Sequence, residues 1–277
     1  MTTDPAGARP RATHGPGGEA SVVRPEGDVR SRPGTAVHRT WWRVADYAYA
    51  GWYQVRGVLA PGDPDRYAEP TARRAPDVVL VPGVMEPWPF LQPLAARLFA
   101  AGHAVHVVPG LGYHVQDLAE AVRTVAELLA DRDLTDVVVV AHSKGGLVGK
   151  LLLADPGAGP RVRGLVAVAT PFAGSRLARF LPLRSIRIFR PDHPDIVGLA
   201  RVADVDRRIV SVFSRWDPHV PEGSVLAGAR NVELETPGHF RVLADPRLPE
   251  VVLDAARAFV TPGPPGGGPW PPGPRAD

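Results

Sequence analysis

The chain has 277 residues, of which 44% are hydrophobic, and it contains 29 Gly, 32 Pro and no Cys. This composition excludes collagen-like, disulfide-stapled and zinc–thiolate proteins. Its 32 basic and 29 acidic residues leave a net charge of only +3, which is not the strong basic field of a nucleic-acid-binding chain. The length fits one α/β domain with appendages.

The two ends differ in composition from the body. Residues 1–36 mix Pro, Gly, Ser, Thr and scattered charge, and residues 262–277 are rich in Pro and Gly. Such segments cannot offset the entropy of ordering, so we expect both to be disordered. The first segment contains no apolar run of signal-peptide length, and we therefore expect a cytoplasmic protein.

An aromatic-rich segment at residues 37–75 is predicted to be helical. Residues 40–59 hold three of the six Trp and three of the five Tyr, and the longest run without charge, nine residues, is too short to span a bilayer. Two interpretations are open. The helix packs its aromatic face on the following domain, or it makes peripheral membrane contact through residues 41–53. We favour packing, because helices that bury an apolar stripe on their own domain are commoner.

From residue 76 to residue 261, β-rich runs alternate with amphipathic stretches. Strands are predicted at residues 78–81, 103–108, 137–140, 162–169, 209–213 and 232–234. Helices are predicted at residues 90–101, 118–129, 147–153 and 249–260. This alternation predicts an α/β domain with a doubly wound, mostly parallel sheet, and ligands of such sheets bind beyond the carboxyl ends of the strands.

The strand at residues 137–140 runs directly into Ala141-His142-Ser143-Lys144-Gly145-Gly146 and then into a helix. A strand, a sharp turn and a helix with small residues two positions before and after a serine are typical of a nucleophile elbow, G-x-S-x-G, here with Ala141 in place of the first Gly. The turn would lift the Ser143 hydroxyl above the sheet edge.

Two further residues follow later strands in the same way. Asp217 follows the strand at residues 209–213, and His239 follows the strand at residues 232–234. We expect His239 to accept the Ser143 proton and Asp217 to orient the imidazole and stabilise its charge.

An oxyanion hole would use backbone N–H groups. Lys144 N–H lies at the start of the helix after Ser143, and Val84 N–H, in the loop after the strand at residues 78–81, is the second candidate, ahead of Met85. As residues lining the substrate pocket we predict Met85, His114, His142 and Phe172.

These motifs resemble the α/β-hydrolase superfamily. AHSKGG is similar to the elbow of bacterial lipases and esterases that carry AHSxGG, and TPFAGS (residues 170–175) resembles their TPHxGS segment, with Phe172 in place of His. The chain also has Pro82-Gly83 where the family has His-Gly. The resemblance implies hydrolysis of an ester or related acyl compound through an acyl-serine, without a cofactor.

A cap or lid is predicted at residues 173–208, where the strand rhythm lapses. Residues 175–190 contain five Arg and no acid among apolar residues. This pattern suits a hydrophobic acyl substrate or an anionic lipid surface, and equally an ordinary cap whose Arg stems cover the core.

Three functions are therefore considered. The first is a lipase-like or esterase-like serine hydrolase acting on a hydrophobic ester. The second is a thioesterase or acyltransferase with the same triad, and the third is a non-catalytic membrane-associated or binding protein that retains the fold. We expect no cofactor, no metal and no nucleic-acid partner. His103 and His106, for example, face opposite sides of a strand and cannot share a metal. The oligomeric state stays open.

Overall fold

The computed structural model describes residues 22–23, 35–70, 72 and 75–260. In these ranges seven strands form one sheet in the order β1-β7-β6-β5-β4-β2-β3, and every neighbouring pair is parallel. The strands are β1 (Val22–Val23), β2 (Val78–Val81), β3 (Val105–Val107), β4 (Val137–His142), β5 (Val162–Val168), β6 (Ile209–Ser214) and β7 (Arg230–Leu234).

The connections between the strands carry the helices, together with short 3₁₀ turns. The helices are α1 (Ala36–Leu59), α2 (Gln92–Ala100), α3 (Leu118–Asp131), α4 (Lys144–Ala154), α5 (Arg184–Arg187), α6 (Pro194–Ala200) and α7 (Leu248–Val260). Local sequence sets their limits, as α3 illustrates. The Asp117 carboxylate caps its first turn by accepting a hydrogen bond from Glu120 N–H at 2.7 Å.

Side chains alternate along each strand and therefore divide between two hydrophobic cores. In β2, Val79 and Val81 point into the core under α3 and α4, whereas Val78 and Leu80 point into the core under α2 and α7. All six residues of β4 are buried. Covering both faces of the sheet explains why the predicted strands read as uninterrupted valine.

The predicted fold class, a doubly wound parallel α/β sheet, is confirmed. From residue 76 onward the predicted strands and helices match observed ones, with ends that differ by a few residues, whereas the helical segment predicted at residues 37–75 ends with α1 at Leu59. α2 starts at Gln92, because the chain first forms a 3₁₀ turn at Trp88–Phe90. β3 is confined to Val105–Val107.

The prediction of disorder for residues 1–36 is wrong at two places. Val22 and Val23 pair with Asn231 and Val232 of β7, and Ala36 begins α1. β7 would otherwise leave a row of unpaired backbone groups at the edge of the sheet, and these two adjacent bulky apolar residues supply a partner. The rest of residues 1–34, and the tail at residues 262–277, lie outside the described residues.

Two segments flank the carboxyl ends of β4, β6 and β7. α1 lies on one side, where Tyr53 stacks on Phe90 and Trp42 on Trp216, with ring centroids 5.5 and 5.6 Å apart. Residues 169–208, between β5 and β6, lie on the other side and include α5 and α6. Within the described residues no helix combines the length and apolar character needed to cross a membrane.

Candidate active site

Ser143 occupies the sharp turn between β4 and α4. Its backbone angles, φ 50° and ψ −117°, lie in a region that non-glycine residues rarely adopt. The turn is packed so closely that a Cβ atom at Gly145 would clash with the carbonyl oxygen of Val81, and one at Gly146 with the side chain of Thr170. The small residues of the elbow motif are therefore required sterically, and the strained turn presents the hydroxyl at the sheet edge.

The three residues predicted to form a triad lie in hydrogen-bond contact. His239 Nε2 is 3.0 Å from Ser143 Oγ, and His239 Nδ1 is 2.7 Å from Asp217 Oδ2. The other carboxylate oxygen of Asp217 accepts the N–H groups of His219 at 2.7 Å and Val220 at 3.0 Å. The orientation of the Asp217 carboxylate is thus fixed by its own loop, and it can hold His239 Nδ1 as a donor.

Electrostatics within the triad favour a charged His239–Asp217 pair. Burial acts to lower the pKa of His239, but the Asp217 carboxylate outweighs it and holds this pKa above its ordinary value of 6.5. Burial acts to raise the pKa of Asp217, and the charge and hydrogen bond of His239 hold it below its ordinary value. Burial lowers the pKa of neighbouring His219 to about 4, so that ring is neutral at pH 7.

The predicted oxyanion donors differ in whether they are already engaged. Met85 N–H donates to the carbonyl of Tyr113 at 2.6 Å and is therefore occupied. Among the residues described, Val84 N–H and Lys144 N–H have no hydrogen-bond acceptor. Val84 lines the same cavity as Ser143. Of the three predicted donors, Val84 N–H and Lys144 N–H are thus not engaged elsewhere in the described residues.

Ser143 and His239 open into a cavity of about 540 Å³. Its walls come from α1, from the loop after β2 and from the predicted cap, and most of the lining side chains are apolar. Examples are Tyr47, Met85, Leu177, Phe180, Leu183 and Phe189. The cavity can accept a hydrophobic group next to the serine hydroxyl.

Of the four predicted pocket residues, Met85 lines this cavity, but His114, His142 and Phe172 do not. Phe172 is buried in the core beneath the cap, where the Lys150 ammonium lies 5.9 Å from its ring centroid. His114 is fully buried with Nδ1 2.8 Å from the Pro82 carbonyl, and burial lowers its pKa to about 4. Both side chains therefore belong to the protein interior and not to the cavity wall.

His142 links the two loops that flank the nucleophile. Its Nδ1 lies 2.8 Å from Glu86 Oε1, and its Nε2 lies 3.0 Å from the carbonyl oxygen of His239. Glu86 Oε2 also accepts Gly83 N–H at 2.7 Å. The buried contacts of His142 therefore connect the loop after β2 to the loop that carries His239.

The charge state of Glu86 agrees with this pairing. Burial acts to raise the pKa of this carboxyl, but the His142 charge and the hydrogen bonds from His142 and Gly83 hold it below its ordinary value. The sequence offered little sign of this residue, since a single acid in a loop has no distinctive pattern.

Asp46 of α1 holds the loop that carries His239. Its buried carboxylate accepts the N–H groups of His239 at 3.1 Å, Phe240 at 2.9 Å and Arg241 at 2.9 Å. Burial raises the pKa of Asp46 in spite of these three bonds. Sequence reasoning missed this residue. The available signal was that Asp46 is the only acid in α1.

The only two lysines of the chain, Lys144 and Lys150, are both buried. Lys144 Nζ donates to the carbonyls of His114, at 3.0 Å, and Gln116, and burial lowers its pKa to about 8. Lys150 Nζ lies 2.7 Å from Asp206 Oδ1. The lysine next to Ser143 thus fixes the loop after β3 with its side chain.

Within the described ranges no group of three or more His, Asp or Glu side chains is arranged to hold a metal ion. His103 Nδ1 lies 2.8 Å from the Pro76 carbonyl oxygen, and His106 Nε2 lies 3.2 Å from Asp77 Oδ2.

Comparison with known proteins agrees with the fold. The family model described as PGAP1-like alpha/beta domain matches residues 103–180, less than a third of the chain. No curated protein matches the sequence.

Solved structures resemble the chain over most of its length. One is the lipase BlEst2 of Bacillus licheniformis, with a TM-score of 0.53 at 14% identity, covering 70% of this chain and 100% of that one. Another is BpoC of Mycobacterium tuberculosis, named as a non-heme bromoperoxidase, with a TM-score of 0.53 at 14% identity, covering 68% and 94%. The parallel sheet, the elbow after β4 and these likenesses show that the chain has the α/β-hydrolase fold.

Proposed function

We propose that this protein is a serine hydrolase that cleaves a carboxylic ester of a hydrophobic acyl group through an acyl-serine intermediate. One observation carries the proposal. The hydrogen-bonded chain from Ser143 through His239 to Asp217, with distances of 3.0 and 2.7 Å, opens into an apolar cavity of about 540 Å³. A nucleophile, a base and an orienting carboxylate in contact, beside room for an acyl group, support acyl transfer to serine.

The proposed reaction has two halves. Ser143 Oγ attacks the ester carbonyl while His239 Nε2 takes the hydroxyl proton, and the carbonyl electrons move onto oxygen. That oxyanion would accept hydrogen bonds from Val84 N–H and Lys144 N–H. Collapse breaks the bond to the alcohol, which leaves with the proton from His239. Water then attacks the acyl-serine, with His239 again taking and returning the proton, and the acid and free Ser143 are released.

The cavity walls favour an apolar acyl chain over a charged one. Leu177, Phe180, Leu181 and Leu183 of the cap contribute side chains, and no arginine lines the cavity among the residues described. The cap arginines therefore lie outside the space proposed for the acyl group. The same triad geometry would also serve a thioester. Comparing ester and acyl-CoA substrates therefore distinguishes an alcohol from a thiol leaving group.

The test is a series of p-nitrophenyl esters from acetate to laurate, measured with the wild type and Ser143→Ala. We expect turnover that improves with chain length and a loss of about 10⁵-fold or more in Ser143→Ala. Ser185→Ala, which removes a cap serine that does not line the cavity, is the matched control and should behave like the wild type. Full activity of Ser143→Ala would overturn the proposal. An acyl-CoA panel turned over faster than the esters would assign the thioester alternative instead.

A further inference from the structure

The outward face of α1 is apolar along the whole helix. Its exposed apolar side chains are spaced three or four positions apart, as one face of a helix requires. The series comprises Val37, Trp41, Val44, Ala48, Trp52 and Val55. Trp41 and Trp52 are 66% and 62% exposed. A helix of 24 residues is about 36 Å long, so this is an extended apolar stripe facing solvent.

The cap carries a second exposed apolar patch. Phe180 is 80% exposed, and Leu181 and Leu183 are also exposed. These three side chains line the cavity that opens on Ser143, and so does the exposed Tyr47 of α1. Tyr47 of α1 and these cap side chains therefore border the same cavity, whereas the six side chains of the α1 series do not line it. We call the outward face of α1 together with Phe180, Leu181 and Leu183 the mouth surface.

The exposed charged groups of residues 36–59 and 173–190 are cations. Arg39 and Arg43 of α1 and Arg179, Arg184 and Arg187 of the cap are exposed, and none forms a salt bridge with a described residue. Residues 36–59 and 173–190 contain no exposed acid, since the single acid of these two segments is buried in α1. An apolar surface with unpaired arginines beside it is complementary to a negatively charged partner.

We propose that the mouth surface docks on an anionic phospholipid membrane, and that the substrate is an ester lipid drawn from that membrane into the cavity. The second statement rests on the proposed function. Trp and Tyr are favoured at the boundary between headgroups and acyl chains, and arginines attract anionic headgroups. A second copy of the chain fits less well, because pairing two mouth surfaces would bring the same arginines together, and residues 36–59 and 173–190 carry no exposed acid to pair with them.

The experiment is flotation of the full chain with vesicles of phosphatidylcholine alone and with about 30% phosphatidylglycerol added. We expect the wild type to float with the anionic vesicles and less well at high salt. Trp41→Glu/Trp52→Glu should lower the partition coefficient by at least about tenfold. Arg184→Gln/Arg187→Gln should lower it by about fivefold per arginine on anionic vesicles only.

Val225→Glu is the matched control, because Val225 is an exposed valine outside the mouth surface and should float like the wild type. Wild-type protein that stays with the soluble fraction, or a double tryptophan variant that floats equally well, would overturn the docking surface. The docking surface would also be overturned if the wild type did not float and light scattering without vesicles showed a dimer that Trp41→Glu/Trp52→Glu abolishes.

Turnover of soluble p-nitrophenyl butyrate by the same preparations separates docking from catalysis. We expect all these variants to keep wild-type turnover of the soluble ester, since none of the substituted side chains lines the cavity. Loss of flotation with turnover retained supports docking through these residues. Flotation of a wild type that turns over no ester would overturn the lipid substrate and the proposed function while leaving the docking surface in place.

Discussion

Asp217→Asn tests the triad most selectively, because the structure fixes how the new amide must point. One oxygen of Asp217 accepts the N–H groups of His219 and Val220 at 2.7 and 3.0 Å. In the variant only the amide oxygen can serve these two donors, so the NH₂ group must face His239 Nδ1. Two donors cannot share that contact, and His239 must change tautomer to present Nδ1 as an acceptor.

The altered tautomer places the proton on His239 Nε2, the atom 3.0 Å from Ser143 Oγ. A protonated Nε2 cannot accept the serine proton, so catalysis falls although the geometry is retained. We expect a decrease of about 10⁴-fold in kcat at neutral pH, equivalent to about 5 kcal/mol of transition-state stabilisation.

The assay is the turnover of p-nitrophenyl butyrate, with nitrogen-15 NMR of the histidine rings to report the tautomer of His239. Asp155→Asn is a matched control. One Asp155 oxygen likewise accepts two backbone N–H groups, from Gly157 at 2.9 Å and Ala158 at 2.8 Å, far from the site. We expect that control to keep wild-type turnover. Asp217→Asn within tenfold of the wild type would refute the assignment of Asp217.

Three further predictions concern the charges around the triad. For the wild type, kcat/KM should rise with pH through an apparent pKa above 6.5. The reason is that Asp217 raises the pKa of His239, and only neutral His239 can act as a base. An apparent pKa below 6.5 would contradict this. Glu86→Gln should lower kcat about tenfold with little change in KM. It should also lower the apparent pKa of the kcat/KM profile, because the Glu86 charge also raises the pKa of His239. An unchanged apparent pKa would mean that Glu86 only packs against its neighbours. The free energy of unfolding can be measured in urea for the wild type and for Lys144→Met. The wild-type value minus the variant value should increase between pH 8 and 10.5, by at most about 1.4 kcal/mol per pH unit. The sign follows because in this range the unfolded chain holds the Lys144 proton that the folded protein has lost, and a falling difference would be inconsistent with a buried Lys144.

The fold could be predicted from sequence because its sheet is parallel and covered on both faces. Each strand is then a short apolar run, such as Val78–Val81, and each helix an apolar stripe of different period. The contact of Ser143, His239 and Asp217 was predictable for a related reason. Parallel strands end at the same edge of a sheet, so polar residues that follow β4, β6 and β7 converge even though Ser143 and His239 are 96 positions apart.

Residues that position the triad could not be predicted, because their partners are distant and their own patterns are ordinary. Asp46 contacts the His239 loop 193 positions away through the packing of α1. Both faces of α1 are apolar, so the sequence alone did not indicate that Trp42 and Tyr53 pack inward while Trp41 and Trp52 face solvent. His142 and His114 were expected at the pocket, but each turns toward an acceptor beneath it.

The positions of the two lysines were informative about the site, although the amino-acid composition by itself was not. Arginine supplies all but two of the basic residues, and both lysines lie in α4 with buried ammonium groups. An ammonium is compact and donates in three directions, whereas a planar guanidinium is larger, which suits lysine to the carbonyls of His114 and Gln116. A rare residue type near a predicted nucleophile was therefore a pointer to the architecture of the site.

The most direct test of the central claim is to react the folded protein with a fluorophosphonate and to locate the modified residue by peptide mass spectrometry. A nucleophilic serine activated by His239 should be phosphonylated at Ser143 alone, with no labelling of Ser143→Ala and much slower labelling of His239→Ala. Equal labelling of the wild type and Ser143→Ala, or modification of another serine, would contradict the claim that Ser143 is the nucleophile.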